Sequence, residues 1–122
     1  KFDQCHALSN QGEFCMKLEL VYVTFPNSTT AKKIIKKGLK QNLFACANLF
    51  PQVESIYNWK NKQEITKECV VIFKTSHKRK ATLEKFILSS HPHDTPCVLT
   101  IDVKKVNLKY KNWVQKQLLH SR

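Results

Sequence analysis

One stretch of the chain constrains the fold more than any other: the five consecutive apolar residues Cys69, Val70, Val71, Ile72 and Phe73. Because successive side chains of a strand point to opposite faces, a strand made of these residues needs apolar cover on both faces. The chain has 122 residues, 42% of them hydrophobic, which is enough for one domain with a substantial core. No run of about 18 apolar residues occurs, which excludes a membrane-spanning helix of ordinary length.

Apolar periodicity and turn residues predict the other strands and helices. The helices are expected to begin at the capping residues Ser28, Ser76 and Asn107; the first continues to Asn42, and the second ends at His91, before a proline. The predicted strands are residues 17–25, 44–50, 53–59, 68–74 and 96–103, with a hairpin turn at residues 59–62.

The resulting order is β-α-β-β-β-α-β-α, in which residues 44–50 and 53–59 form either one long bent element or a hairpin pair. The rest is a split βαβ, or ferredoxin-like, repeat, so we expect an α+β fold with an antiparallel sheet and helices on one face. The strands are apolar on both faces, and the second face therefore needs a cover. Another copy of the same chain is the simplest one, which predicts an oligomer.

The charge pattern suggests an anionic partner, since 21 basic and 9 acidic residues leave a net charge of +12. Almost all of the basic residues are lysines, and the arginines are only Arg79 and Arg122, so base-specific recognition of nucleic acid is disfavoured. The lysine-rich helix from Ser28 to Asn42 is compatible with peripheral contact with an anionic membrane, but a solvated helix that covers a sheet is the favoured interpretation. The two glycines, Gly12 and Gly38, make no phosphate-binding loop.

The cysteine pattern and the N-terminal segment bear on location and domain limits. Five scattered cysteines form no CxxC or CxxH pair, which indicates reduced thiols and favours a cytoplasmic location. An organellar location also fits, because a signal ahead of Lys1 would lie outside this sequence. Residues 1–15 are polar and without periodicity, so we expect a flexible leader or arm there and a folded domain over residues 16–122.

Six motifs in the same order and spacing resemble the CutA family of divalent-cation tolerance proteins, over about residues 18–118. They are VYVTFPN at residues 21–27, ACANLFP at 45–51, SIYNWKNK at 55–62, FKT at 73–75, HPHDTP at 91–96 and YKNWV at 110–114. The chain departs from the family pattern at Asn61, where glycine is usual, at His93, where tyrosine is usual, at Asp94, where Glu or Gln is common, and at Val106, where a glycine is frequent. The resemblance implies a ferredoxin-like fold similar to that of PII signalling proteins, a homotrimer with clefts between subunits, and a role in tolerance of copper or other divalent ions.

The residues with the best metal-binding chemistry are His91, His93, Asp94 and Cys97, because imidazole and thiolate ligands suit copper and zinc. Prolines keep this segment extended, so the two imidazoles can point to opposite sides, and one of them can meet Cys46 or Asp94 across a cleft between subunits. In the simpler alternative, His91 only hydrogen-bonds a neighbour at the helix end, and Cys46 is a small buried hydrophobe.

Three further residues are candidates for lining a ligand cleft. Lys74 ends the central strand, where it can bind an anion or a carboxylate such as that of Asp94, and Tyr57 and Trp59 share one face of their strand. Packing at a subunit interface is the alternative role for the two aromatic rings. No catalytic motif is present, so we predict that the protein is not an enzyme. Together with this, the resemblance implies a trimer that binds a divalent cation, most of all Cu²⁺, with Cys46, His91, His93 and Asp94 as the candidate ligands. The alternative function is a PII-like sensor or scaffold that binds a small anion and a partner protein.

Overall fold

A computed structural model describes residues 16–119 of the chain. The leader or arm predicted for residues 1–15 and the last three residues of the predicted domain lie outside the described residues. These residues form four strands and three helices: β1 (Leu18–Phe25), α1 (Ser28–Lys40), β2 (Cys46–Trp59), β3 (Lys62–Ser76), α2 (Lys80–Ser90), β4 (Val98–Asp102) and α3 (Leu108–Leu119). In the described part, no helix has the length and apolar character needed to cross a membrane.

The four strands form one antiparallel sheet in the order β2-β3-β1-β4. This is the predicted α+β, ferredoxin-like arrangement, with a helix between β1 and β2 and another between β3 and β4. The predicted central strand is central: β3 pairs with β1 on one side and with β2 on the other.

The two strand predictions around Pro51 describe one element. The hairpin-pair alternative is wrong, because β2 runs without a turn from Cys46 to Trp59. Proline has no N–H to donate to a neighbouring strand, and the register shifts between Phe50 and Val53, where Pro51 lies. The hairpin turn that follows is as predicted, with Lys60 and Asn61 both at positive φ, at 50° and 65°.

The predicted helix starts are partly wrong. Asn27, and not Ser28, caps α1: its Oδ1 accepts a hydrogen bond from the Thr30 N–H at 2.8 Å. Ser76 does not begin α2, because it still belongs to β3, and its Oγ accepts from the Arg79 N–H at 3.2 Å in the turn before the helix. The first helix ends at Lys40, two residues before the expected Asn42, which has a φ of 58° that no helix continues through.

The main core lies between one face of the sheet and helices α1 and α2. Gly38 brings α1 close to its neighbours, since a Cβ there would be 2.7 Å from Phe44 Cε2 and 3.1 Å from Phe86 Cε2. Across the strands, the core residues alternate with the residues of the other face. The buried members, from the strands, the helices and the loop before β2, are Val21, Val23, Phe25, Ala31, Ile34, Leu43, Phe44, Cys69, Val71, Phe73, Leu83 and Ile87.

Among the described residues, cover for the other face of the sheet is found at one end only. There α3 buries Val114 and Leu118 against Leu18 and Ala45. The remainder, which we call the open face, exposes large apolar side chains, among them Phe50, Leu99 and Ile101, at 46%, 53% and 45%. The open face comprises the side chains of Leu20, Tyr22, Phe50, Ile72, Leu99 and Ile101.

Strands β2 and β3 extend beyond the end of β1 as a two-stranded arm, from Val53 to Glu68. Its side chains include Ile56 and Ile65, which face each other across the two strands and are 61% and 58% exposed. Among the described residues, the arm and the open face thus both leave large apolar side chains exposed.

Candidate functional site

His91 is a buried residue whose two ring nitrogens are both hydrogen-bonded. It follows α2 directly, and its ring stacks on that of Phe25 with the centroids 4.8 Å apart and the planes at 14°. Its Nε2–H donates to the Thr24 carbonyl at 2.7 Å, and Nδ1 accepts from the His93 N–H at 3.1 Å. To bind a metal ion, His91 would have to give up one of these two bonds.

The neighbouring candidates lie in the exposed segment after His91. The His93 ring has its centroid 5.0 Å from that of His91, and the side chains of His93 and Asp94 are exposed. Cys97, farther along, is half-buried. Over residues 16–119 no three His, Cys, Asp or Glu side chains are grouped so that they could hold a metal ion.

Cys46 and Lys74 lie elsewhere, as direct cross-strand partners of β2 and β3. Lys74 also pairs with Leu20, so both candidates are on the side of the sheet that carries the open face, and Lys74 Nζ lies 5.2 Å from the centre of the Tyr110 ring. From Leu20 to Phe25, on which His91 packs, β1 spans about 17 Å. Within one chain, Cys46 is thus separated from His91 both along the strand and by the sheet itself. Lys74 also lies at the other end of β1 from the segment that carries Asp94.

Tyr57 and Trp59 are on the arm, on the same face as each other, and are 42% and 59% exposed. Their cross-strand partners are Glu64 and Lys62, and Lys60 Nζ lies 5.9 Å from the centre of the Trp59 ring. The arm leaves the sheet at the end where His91 packs on β1, so these rings are at the same end of the molecule as His91.

A buried carboxylate that the sequence reading missed lies at the opposite end of β1. Glu19 is fully buried; its Oε2 is 2.7 Å from His77 Nδ1 and 3.9 Å from Lys80 Nζ, and its Oε1 has no hydrogen-bond partner among the described residues. Its cross-strand neighbour Asp102 is exposed, and a hydrogen bond from Lys17 holds the pKa of the Asp102 carboxyl below its usual value. The only sequence signal for this cluster is a charged residue within an apolar strand.

The thiols differ in their chemistry. Burial raises the pKa of Cys69, so its thiol stays protonated and is a core side chain. Cys46 and Cys97 are both partly accessible, and thus remain the thiols that a metal ion can reach among the described cysteines.

Comparison with known proteins places this geometry in a family. Residues 19–117 match the family model described as CutA1 divalent ion tolerance protein. The divalent-cation tolerance protein CutA of Thermotoga maritima is 38% identical over 82% of this chain and 98% of its own length. The human protein CutA is 35% identical over 88% of this chain, and the chain spans 60% of the length of that protein and 64% of that of a Xenopus laevis homologue.

Solved structures agree with the sequence comparison. The crystal structure of divalent ion tolerance protein CutA1 from Ehrlichia chaffeensis is similar with a TM-score of 0.82 and 32% identity, over 86% of this chain and 98% of that one. The CutA1 structure from Oryza sativa is similar with a TM-score of 0.79 and 31% identity, over 86% and 96% of the two chains. Both similarities extend over the sheet and the helices described above.

Proposed function

The chain belongs to the CutA1 divalent ion tolerance family, and from that premise we propose that it is a non-enzymatic homotrimer that binds a divalent cation, Cu²⁺ foremost, between its subunits. The observation that carries this proposal is the division of the candidate ligands between two separate places in one chain. Cys46 is on the side of the open face, whereas His93 and Asp94 follow α2. A site that uses both groups has to take them from different copies.

The exposed apolar surface supports assembly. The open face and the arm together expose large side chains at roughly half of their area, and monomeric proteins rarely leave so much contiguous apolar surface in water. A neighbouring copy that packs its arm on the open face would bury both surfaces at once. Such packing also brings the face that bears Cys46 near the end of the sheet from which a neighbour's arm leaves.

Among the candidate ligands, we assign ligation to Cys46, His93 and Asp94 and a positioning role to His91. His93 and Asp94 have exposed side chains, and the His93 ring makes no hydrogen bond within residues 16–119, whereas His91 uses both of its ring nitrogens. Thiolate, imidazole and carboxylate are ligands that Cu²⁺ and Zn²⁺ accept. Tyr57 and Trp59 on the arm are then packing residues at the edge of the cleft.

The assembly is tested by light scattering on the purified protein. The expected mass is about three times the 14.2 kDa of the chain. Leu99→Lys, on the open face, should shift the mass toward one chain, whereas the matched control Leu39→Lys, on α1 and similarly exposed at 47% against 53%, should leave it unchanged. A Leu99→Lys variant that keeps the wild-type mass would show that assembly uses another surface.

The metal site is tested by titration calorimetry with Cu²⁺ on the wild type, Cys46→Ala, His93→Ala and the control His77→Ala. His77 is an exposed histidine bonded to Glu19, whose side chain points to the face of the sheet opposite to that of Cys46, so its removal should leave the heats unchanged. We expect Cys46→Ala and His93→Ala each to weaken Cu²⁺ binding by at least about tenfold, because each variant removes one ligand from a small set. Equal heats from all four proteins would refute this ligand set.

The alternative of a PII-like site for a small anion, with Lys74 as its cation, has less support. Lys74 Nζ already lies over the Tyr110 ring, where a cation is stabilised by the aromatic face. Inorganic phosphate in place of Cu²⁺ in the same calorimeter separates the two proposals, since heats that disappear in Lys74→Gln would favour the anion site.

A further inference from the structure

The outward surface of α1 and α2 is a dense array of lysines. We call it the lysine face, and all of its members have exposed side chains. They are Lys32, Lys33, Lys36, Lys37, Lys40 and Lys85. Since the apolar stripe of α1 is already buried on the sheet, with Ala31 and Ile34 in the core, these lysines point away from the domain.

The sequence around α1 places no acidic residue among its lysines. No acidic residue occurs between Glu19 and Glu54, a stretch that includes all of α1. The one acidic residue of the two helices, Glu84, accepts a hydrogen bond from the Thr100 hydroxyl of β4. Within residues 16–119, Lys32 and its neighbours Lys33, Lys36 and Lys37 form no ion pair with another side chain.

Two exposed leucines accompany the lysines. Leu39 of α1 is 47% exposed, and Leu88 of α2 is 52% exposed. Neither helix contains Arg, Tyr or Trp, the residues that read and stack on nucleic-acid bases. A surface of lysines with interspersed leucines matches a layer of anionic headgroups above acyl chains better than it matches a nucleic acid.

We propose that the lysine face is a docking surface for an anionic lipid bilayer. The folded two-helix layer would adsorb on the headgroups as a preformed surface, with lysine ammonium groups among the phosphates and carboxylates and with Leu39 and Leu88 at the boundary of the acyl chains. The bound state depends on the summed charge of the face, so it should weaken as salt screens that charge. This inference is independent of metal binding.

The test is co-sedimentation with vesicles of phosphatidylcholine that contain about 30% phosphatidylserine, at about 50 mM salt. The wild type is compared with a triple variant, Lys32→Gln, Lys33→Gln and Lys36→Gln, at the centre of the face. Its matched control is Lys104→Gln, Lys105→Gln and Lys109→Gln, which removes the same charge from exposed positions before and within α3. Glutamine keeps the helix propensity of lysine, so both variants should fold.

We expect the α1 variant to bind roughly 100-fold more weakly and the control less than about fivefold more weakly, since each lysine near a membrane surface contributes about a factor of five. Vesicles of phosphatidylcholine alone should not bind the wild type. Equal losses in the two variants would overturn the proposal, because net charge alone would then explain binding. It would also be overturned by absence of sedimentation with the anionic vesicles, or by tighter binding of a short DNA duplex than of the vesicles at the same salt.

Discussion

Replacing His91 should lower the stability of the metal-free protein, because its ring joins three parts of the fold. The Nε2–H bond to Thr24, the Nδ1 bond from His93 and the stacking on Phe25 connect the end of α2 to β1 and to the segment that carries the candidate ligands. A net hydrogen bond contributes about 1 kcal/mol and such a ring pair about 1 kcal/mol. His91→Ala should therefore reduce the free energy of unfolding by about 3 kcal/mol.

Two comparisons separate the parts of this effect. His91→Phe keeps the stacked ring and loses only the hydrogen bonds, so we expect it to cost about 2 kcal/mol. His93→Ala keeps the backbone N–H that donates to His91 and removes an exposed ring, so it should cost less than about 0.5 kcal/mol. The order of stability is thus His93→Ala, His91→Phe, His91→Ala, from highest to lowest.

The measurement is guanidinium denaturation with a metal chelator present and at one protein concentration, since the stability of an oligomer depends on concentration. With the chelator, a loss of stability in His91→Ala cannot come from a lost metal ligand. If His91→Ala unfolds at the same denaturant concentration as the wild type, or if the Phe and Ala variants are equally stable, the positioning role assigned to His91 is refuted.

Three further predictions concern the core. Gly38→Ala should lower the free energy of unfolding by about 1 kcal/mol. The new Cβ would lie 2.7 Å from the buried Phe44 ring, and such overpacking costs up to about 3 kcal/mol, which exceeds the helix-propensity gain of about 1 kcal/mol. A higher melting temperature would contradict this. Thr75→Val should cost about 1–3 kcal/mol in chemical denaturation, because it leaves the Leu43 carbonyl without the hydroxyl that donates to it at 2.8 Å, and a loss below about 0.5 kcal/mol would show that water replaces the donor. Burial raises the pKa of Cys69, so the unfolded chain loses this proton first as the pH rises past about 9, and stability should fall there; Cys69→Ala should have a shallower alkaline decline, and an unchanged slope would assign the decline to other groups.

Much of the fold could be predicted from local patterns. The run from Cys69 to Phe73 indicated the central strand, because five apolar residues in succession leave neither face of a strand polar. The helix starts were less accurate, since asparagine and serine are both good caps and Asn27 precedes Ser28 directly. The sequence around Pro51 was compatible with one long strand or with two strands of a hairpin, because a proline can occupy either a bulge or a turn.

The candidate site was predictable as a set of residue types and not as an arrangement. The spacing of His91, His93 and Asp94 along the chain indicated possible ligands, but the partners of the His91 ring come from β1, and Thr24 is 67 residues away in sequence. The separation of Cys46 from this segment follows from strand pairing, which the residue types themselves do not reveal. Likewise, the charged cluster at Glu19 depends on the fold, which brings His77 and Lys80 beside this carboxylate from 58 or more residues away in sequence.

The amino-acid sequence by itself determined which faces of the strands are apolar and where strands and helices lie, because side-chain periodicity follows from local backbone geometry. The tertiary structure decided which polar atoms meet. It placed His91 against Thr24 and Phe25, and it put Cys46 on the other side of the sheet. Contacts of this kind depend on strand order and on packing between residues far apart in sequence, and local periodicity carries no information about either.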